Sequence, residues 1–137
     1  MHENTIHGLI AQNKAELRAI EKGYLISKPV TDCSRYDMIV DTNDGLKRVQ
    51  VKYAGSKPVN STGSCLVDFR KVSINGKERN GYSKEEVDAI LVYIPNMDKI
   101  CYFPIDLVEN KTSLTICFER PKNNQTKGIV LVEDYIW

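Results

Sequence analysis

The chain has 137 residues, which fits a single compact domain spanning residues 1–137. No apolar run approaches the roughly 20 residues that a membrane span needs, and the N-terminus lacks the features of a signal peptide. We therefore predict a cytoplasmic protein with no membrane partner. The net charge of +1 does not by itself indicate a nucleic-acid binder, and the four widely spaced cysteines form no CxxC pair that would suggest zinc.

The first half of the chain is predicted to form one helix and three strands. The helix covers residues 5–22, and Gly23 is a plausible stop. Its large apolar side chains fall roughly on one stripe, which supports the helix: Ile6, Leu9, Ile10, Leu17 and Ile20. A short strand over 24–26 follows, and strands over 36–41 and 46–54 then form an antiparallel hairpin across the turn 42–45.

The second half is predicted to contain further strands. After a polar loop over 55–63 come a strand over 65–74 and a basic loop over 75–82. Ser83 and Glu86 form a capping box that starts a short helix. A hairpin over 89–94 and 100–103 follows, and then strand-like segments over 114–118 and 129–132. This order predicts an α+β domain with a mixed sheet and with the first helix against one face.

Positive charge is concentrated in residues 47–84, which hold nine lysines and arginines against two acids, a sum of +7, so the rest sums to −6. A polarised charge map attracts phosphate backbones even when the total is near zero. The alternative is an ordinary solvated basic stretch. Arg35 is either a phosphate contact or a surface arginine. If residues 65–80 form a two-stranded ribbon, which fits a DNA major groove, the best contacts are Lys57, Arg70, Lys71, Lys77 and Arg79.

The most informative segment for chemistry is RYDMIVDTNDGLKRVQVKYA, residues 35–54. Asp37 lies on the first strand of the predicted hairpin, and Gln50 and Lys52 share one face of the second because they are two residues apart. A carboxylate, an amide oxygen and an ammonium then meet at one place. Hard oxygen ligands bind Mg²⁺ or Mn²⁺, and an adjacent lysine orients a nucleophile or stabilises phosphoryl charge. The alternative is an exposed strand face with ordinary polar residues.

The strings RYDMIVD and RVQVKYA, together with GYSKEEVDAILVYIP, resemble the PD-(D/E)XK nucleases and look closest to their small, intron-encoded homing branch. The resemblance implies a restriction-endonuclease-like core. It also implies that Asp37 and Gln50 bind the metal, that Val51 adds its backbone carbonyl, and that Lys52 is the catalytic lysine. In this superfamily a glutamate on the first helix often reaches the metal. Here that position is Gln12, a departure that Glu16 compensates only in part.

We therefore predict a site-specific DNA endonuclease of the homing type, acting on double-stranded DNA with a divalent metal. One domain of this size holds one active site, so a double-strand cut requires a homo-oligomer, a dimer or a tetramer. Two alternatives remain open. One is a structure-selective or junction-resolving nuclease of the same fold, and the other is a catalytically inactive DNA-binding module. Gln12 favours a weakened active site, whether natural or introduced.

Overall fold

A computed structural model of the chain describes residues 1–55, 63–72, 78–79, 81–123 and 128–137. Its two α-helices and nine strands are α1 (Glu3–Glu21), β1 (Leu25–Ser27), β2 (Met38–Thr42), β3 (Gly45–Tyr53), β4 (Ser64–Asp68), β5 (Lys71–Val72), β6 (Glu78–Arg79), β7 (Ala89–Ile94), β8 (Lys99–Pro104), α2 (Ile105–Val108) and β9 (Ser113–Cys117). Neither of these helices is long and apolar enough to cross a membrane.

The main sheet has five strands in the order β1-β2-β3-β7-β8. The β3–β7 pair is parallel and the other three pairs are antiparallel, which confirms the predicted mixed sheet and α+β class. The predicted hairpin is also confirmed, since Met38 lies opposite Val49 and Thr42 opposite Gly45. Two small antiparallel sheets, β4 with β9 and β5 with β6, complete the strand pairing of the described residues.

Strand β3 separates two hydrophobic cores because its side chains alternate between the faces of the sheet. Val49 and Val51 belong to the core beneath α1. Gln50 and Lys52 point to the opposite face, where their partners on β7, Ile90 and Val92, belong to the second core. The face that was predicted to carry the chemistry is therefore the face turned away from α1.

Helix α1 packs on the sheet with its small residues rather than with its large apolar ones. Ala11, Ala15 and Ala19 are fully buried, whereas the five residues of the predicted apolar stripe are 37% to 61% exposed. Gly23 ends the helix as predicted, with a φ of 79°. The apolar stripe predicted the helix correctly. The sheet nevertheless packs against the alanine side of α1, because small side chains allow the helix to approach the sheet closely.

Four predicted elements differ from the structure, and one of them is the basic loop predicted over 75–82, which contains strand β6. The strand predicted over 65–74 is broken after Asp68, whose carboxylate accepts a 2.8 Å hydrogen bond from the backbone N–H of Arg70. The helix predicted at Ser83 is a single turn, although the capping contact from its backbone N–H to Glu86 forms at 3.2 Å. The last predicted strand, 129–132, is reduced to one bridge at Leu131 and a 3₁₀ turn over Val132–Asp134.

Candidate active site

Asp37 lies immediately before β2 and is fastened to β3 by two hydrogen bonds. Its backbone N–H donates to the carbonyl of Val49 at 2.8 Å, and its Oδ2 accepts from the backbone N–H of Val51 at 2.7 Å. These bonds bracket Gln50. A carboxylate that receives a backbone N–H is fixed in position, and its two oxygens have lone pairs for more than one partner.

The backbone of β3 presents Val51 to the same place. In an antiparallel pair, residues two apart direct their N–H and C=O groups towards the same neighbouring strand. Val49 bonds to Asp37 through its carbonyl and Val51 through its N–H, so both face the β2 side. Because β2 begins only at Met38, the Val51 carbonyl lies beside Asp37 and beyond the first residue of that strand.

Lys52 sits in a partly buried environment on the same face of β3 as Gln50. Its Nζ lies 5.4 Å from the ring centroid of Tyr82. Burial lowers the pKa of Lys52, and the positive charge of Arg35 lowers it further, whereas the carboxylates of Asp37 and Asp68 oppose the shift. The ammonium is therefore held near two acids but gives up its proton more readily than an ordinary lysine.

Arg35, predicted as a phosphate contact or a surface arginine, makes internal contacts beside this site. Its Nε is ion-paired with Glu86 and its Nη2 donates to the carbonyl of Gly81 at 2.8 Å. The guanidinium also lies 4.3 Å from the ring centroid of the fully buried Tyr82. The ring of Tyr82 thus has the cations of Arg35 and Lys52 close to it, and a phosphate contact by Arg35 stays a prediction.

Asp68 is a residue near the site that the sequence reasoning did not select. Its pKa is lowered, chiefly by the hydrogen bond from the Arg70 side chain, with a smaller effect from Lys52. Arg70 Nη2 lies 2.8 Å from Asp68 Oδ2. Asp68 is distant from the other site residues in the sequence, so only the fold reveals that its charge acts on Lys52.

An open cleft of about 480 Å³ lies at the end of β3, next to the candidate lysine. It is lined by residues of the first turns of α1 and of the β3 end: Glu3, Asn4, His7, Gly8, Val51, Lys52, Tyr53 and Gly55. The imidazole of His7 stacks on the ring of Tyr53 with centroids 4.2 Å apart. The start of α1 therefore borders the candidate site. Asp37 immediately precedes β2, and Lys52 lies on β3.

The donor set fits a hard divalent cation that retains several waters. Asp37 would supply a carboxylate, Gln50 an amide oxygen and Val51 a carbonyl, which are oxygen ligands of the kind that Mg²⁺ takes. Within the described ranges, no group of three or more His, Cys, Asp or Glu side chains could hold a metal. A single carboxylate with neutral oxygens predicts weak binding, and softer metals are disfavoured.

Gln12, the predicted helix position, lies on α1 beside the buried alanines. Its Nε2 donates to Glu16 Oε1 at 3.3 Å, and Glu16 is also ion-paired with Lys28. The carboxylate that was expected to compensate in part for Gln12 is therefore already engaged with a cation. The role of Gln12 at a metal stays a prediction.

The structure describes some of the predicted DNA-contact residues but not all of them. Lys57 and Lys77 fall outside the described residues. Lys71 and Arg79 lie opposite each other in the β5–β6 pair, so a two-stranded antiparallel ribbon forms in part of the predicted region. Arg70 precedes this ribbon and is about half exposed.

The family model described as PD-(D/E)XK endonuclease matches residues 2–137 of the chain. Protein 5.3 of Escherichia phage T7 is 26% identical over 131 residues, which are 96% of this chain and 100% of that protein. The solved structure of the bacterial homing endonuclease I-Ssp6803I matches with a TM-score of 0.77 at 22% identity, covering 98% of this chain and 89% of that one. This likeness shows the restriction-endonuclease-like fold.

Proposed function

Because the chain belongs to the PD-(D/E)XK endonuclease family, we propose that it is a site-specific DNA endonuclease of the homing type that requires Mg²⁺ or Mn²⁺. The proposal rests on the two hydrogen bonds that hold Asp37 against the backbone of Val49 and Val51, the residues on either side of Gln50. These bonds hold Asp37 beside the part of β3 that carries Gln50 and Lys52, which supports a site shared by the three residues. The fold shared with a homing endonuclease supports the homing type.

Each residue has a distinct role in this proposal. Asp37, Gln50 and the Val51 carbonyl hold the divalent cation. When bound, the cation supplies Lewis acidity, which favours loss of a proton from water and offsets charge on phosphoryl oxygens. Lys52 orients the attacking water or stabilises the negative charge that develops on the phosphate. The lysine is suited to this because its surroundings exclude part of the solvent.

The substrate is proposed to be double-stranded DNA, with cleavage of both strands by a homo-oligomer. The β5–β6 ribbon and Arg70 provide the groove and backbone contacts, together with Lys57 and Lys77. A junction-resolving nuclease would use the same chemistry on branched DNA, and an inactive DNA-binding module would bind without cutting.

The experiment that tests the proposal is incubation of the full chain with a randomised duplex library and Mg²⁺, followed by sequencing of the new DNA ends. Recurrent ends at one sequence are expected. Cutting confined to added four-way junctions would assign the junction-resolving activity instead. Binding without any new ends, in Mg²⁺ and in Mn²⁺, would leave only the non-catalytic module.

DNA affinity is expected to fall steeply with salt because residues 47–84 carry a charge of +7. Binding that releases several counterions loses on the order of 10³-fold in affinity between about 50 and 200 mM salt. Arg70→Ala is expected to reduce the slope of log affinity against log salt. Lys99→Ala, at the exposed first residue of the edge strand β8, serves as the control. A flat salt dependence would show that the basic segment does not face DNA.

Gln12→Glu is expected to raise Mg²⁺-dependent cleavage at least about tenfold, equivalent to roughly 1.4 kcal/mol, with little change in DNA affinity. The substitution adds a negative ligand to a site that otherwise relies on Asp37. It also places two carboxylates at positions 12 and 16, which costs about 0.2–0.5 kcal/mol of helix stability. Asn13→Asp adds the same charge on the exposed side of α1 and is the matched control. Equal single-turnover rates at low Mg²⁺ for wild type and Gln12→Glu would remove position 12 from the metal site.

A further inference from the structure

The aromatic ring of Tyr82 has two positive charges over it. The guanidinium carbon of Arg35 lies 4.3 Å from the centroid of this ring, and Nζ of Lys52 lies 5.4 Å from it. Cations within about 6 Å of an aromatic centroid are attracted by the negative charge of the ring face. Tyr82 is only 1% exposed, so water competes little for this contact. The ring is therefore a rigid surface that the lysine and the arginine share.

Lys52 needs such a surface if its ammonium is to act at one place. A lysine ammonium ends a flexible stem, and its donors rotate freely, so its location depends on the groups that surround it. The carboxylates of Asp37 and Asp68 attract the ammonium from two different segments of the chain. Attraction at a distance does not by itself fix an orientation, whereas contact with a flat, buried ring restricts the stem as well as the charge.

Arg35 is held by the same segment that carries Tyr82. Its Nε is ion-paired with Glu86, and its Nη2 donates to the carbonyl of Gly81 at 2.8 Å. Because the guanidinium is a planar fork, two fixed nitrogens determine where the whole group lies. Only 15% of the side chain is exposed, and Nη1 is buried with no hydrogen-bond partner among the residues that the structure describes. A DNA phosphate could reach this nitrogen only if the surrounding groups moved.

The backbone beside Tyr82 is fixed independently of Arg35. Gly81 has a φ of 68°, and a Cβ at this position would lie 2.5 Å from the carbonyl oxygen of Lys111. Glycine therefore permits the close approach of the two segments. The carbonyl of Tyr82 also accepts a 2.9 Å hydrogen bond from the backbone N–H of Asn110. The ring is thus anchored through its own backbone, and the guanidinium of Arg35 adds a contact at its face.

We propose that Tyr82 and Arg35 are positioning residues for Lys52: the ring of Tyr82 fixes the ammonium, and Arg35 holds the ring in place. The inference rests on the proposed function, in which Lys52 acts at the phosphate that is cut. Arg35 precedes Asp37 by two residues, so its side chain also ties the segment of the proposed metal ligand to residues 81–86. The lysine and this ligand are therefore held in a fixed relation, and neither positioning residue touches the substrate.

The first test observes Lys52 by NMR in the full chain, with lysines isotope-labelled at the ε carbon, without DNA or metal. The Lys52 resonance is identified by its absence from the spectrum of Lys52→Met. Protons over an aromatic face are shifted upfield by the ring current, so an upfield Lys52 signal is expected in wild type. Tyr82→Phe should keep this shift because it keeps the ring, whereas Tyr82→Met should abolish it.

Arg35→Lys is expected to reduce the shift of the Lys52 signal, since a lysine cannot keep both contacts of the guanidinium in their fixed geometry. This variant retains the positive charge, so it carries the test if Tyr82→Met fails to fold. Lys14, whose Nζ lies 5.7 Å from the centroid of the Tyr93 ring, is the matched control. Its signal should stay unchanged in every variant, which also shows that the fold is intact.

The second test separates positioning from DNA binding through single-turnover cleavage and DNA affinity. Tyr82→Met and Arg35→Lys are expected to lower the cleavage rate about tenfold, equivalent to roughly 1.4 kcal/mol, with DNA affinity unchanged. Tyr82→Phe should cleave as wild type does. Arg18→Lys, which alters an arginine that donates to the Trp137 carbonyl, is the control and should also cleave normally. Arg35→Met should leave the slope of log affinity against log salt unchanged, whereas loss of a phosphate contact would lower it by about one.

Three outcomes would overturn the proposal. A Lys52 signal that is not shifted in wild type, or that Tyr82→Met leaves in place, would show that the ring does not hold the lysine. Full cleavage by Tyr82→Met would make Tyr82 a core residue only. A lower salt slope for Arg35→Met would make Arg35 a DNA contact. If wild type shows the shifted Lys52 signal but does not cut DNA, the proposed cleavage fails while the contact stands, so the two failures are distinguishable.

Discussion

Asp37→Asn is expected to lower the rate of metal-dependent DNA cleavage at least about 1000-fold, equivalent to roughly 4 kcal/mol, while DNA affinity stays within about tenfold. The asparagine side chain retains an oxygen that accepts the hydrogen bond from the Val51 N–H. The fold of the hairpin is therefore preserved, and what is lost is the negative charge. Since the other proposed donors, Gln50 and Val51, are neutral, the cation loses its one anionic protein ligand.

Comparison with Asp37→Ala separates the chemical role of this carboxylate from its structural one. Alanine removes the acceptor as well as the charge, which leaves a partly buried N–H unsatisfied at a cost of about 1–3 kcal/mol in the free energy of unfolding. Single-turnover cleavage and urea denaturation measure the two effects. Asp41→Asn, at an exposed position near the end of β2, is the control. Wild-type-like cutting by Asp37→Asn would remove Asp37 from the metal site.

The hairpin that carries this site was predictable because its signals are local. Alternation along β3 determines which side chains share a face, and the turn between β2 and β3 fixes the register that brings Asp37 next to Gln50. Gln50 and Lys52, which are two residues apart, therefore lie on the same face of β3, as predicted. The antiparallel hairpin of β7 with β8 was likewise predicted, although not the parallel pairing of β7 with β3.

The failures of prediction arise where long-range packing decides between alternatives that are equivalent in sequence. Helix α1 offered a large apolar side and a small-residue side, and close packing on the sheet selected the alanines. The break after Asp68 depends on a side-chain hydrogen bond that competes with strand pairing. Arg35 carried no signal that Glu86, 51 residues away, would be its partner.

Lys52→Met is expected to change activity and stability in opposite directions. Cleavage should fall at least about 1000-fold, since the ammonium that orients water or stabilises phosphoryl charge is gone. The free energy of unfolding at neutral pH should rise by about 1 kcal/mol, because methionine has no charge to desolvate. The loss of the attraction to Asp37 and Asp68 offsets part of this gain. Burial is nevertheless the largest influence on the Lys52 pKa, and the net shift is downward.

The pH dependence of this stability difference provides an independent check of its cause. Below the lowered folded-state pKa of Lys52, the ammonium is charged in both states, so the cost of burying it is fully present in wild type. As pH rises from that pKa towards the ordinary value of 10.5, the folded chain binds fewer protons than the unfolded chain, and wild type gains stability relative to the variant. Urea denaturation of both proteins across this range should therefore show the advantage of Lys52→Met shrinking with pH. Lys99→Met, at an exposed position on β8, serves as the control for replacing a lysine. A Lys52→Met variant that is less stable than wild type at neutral pH would show that the two acids outweigh burial, and the lysine would then stabilise the fold as well as the reaction.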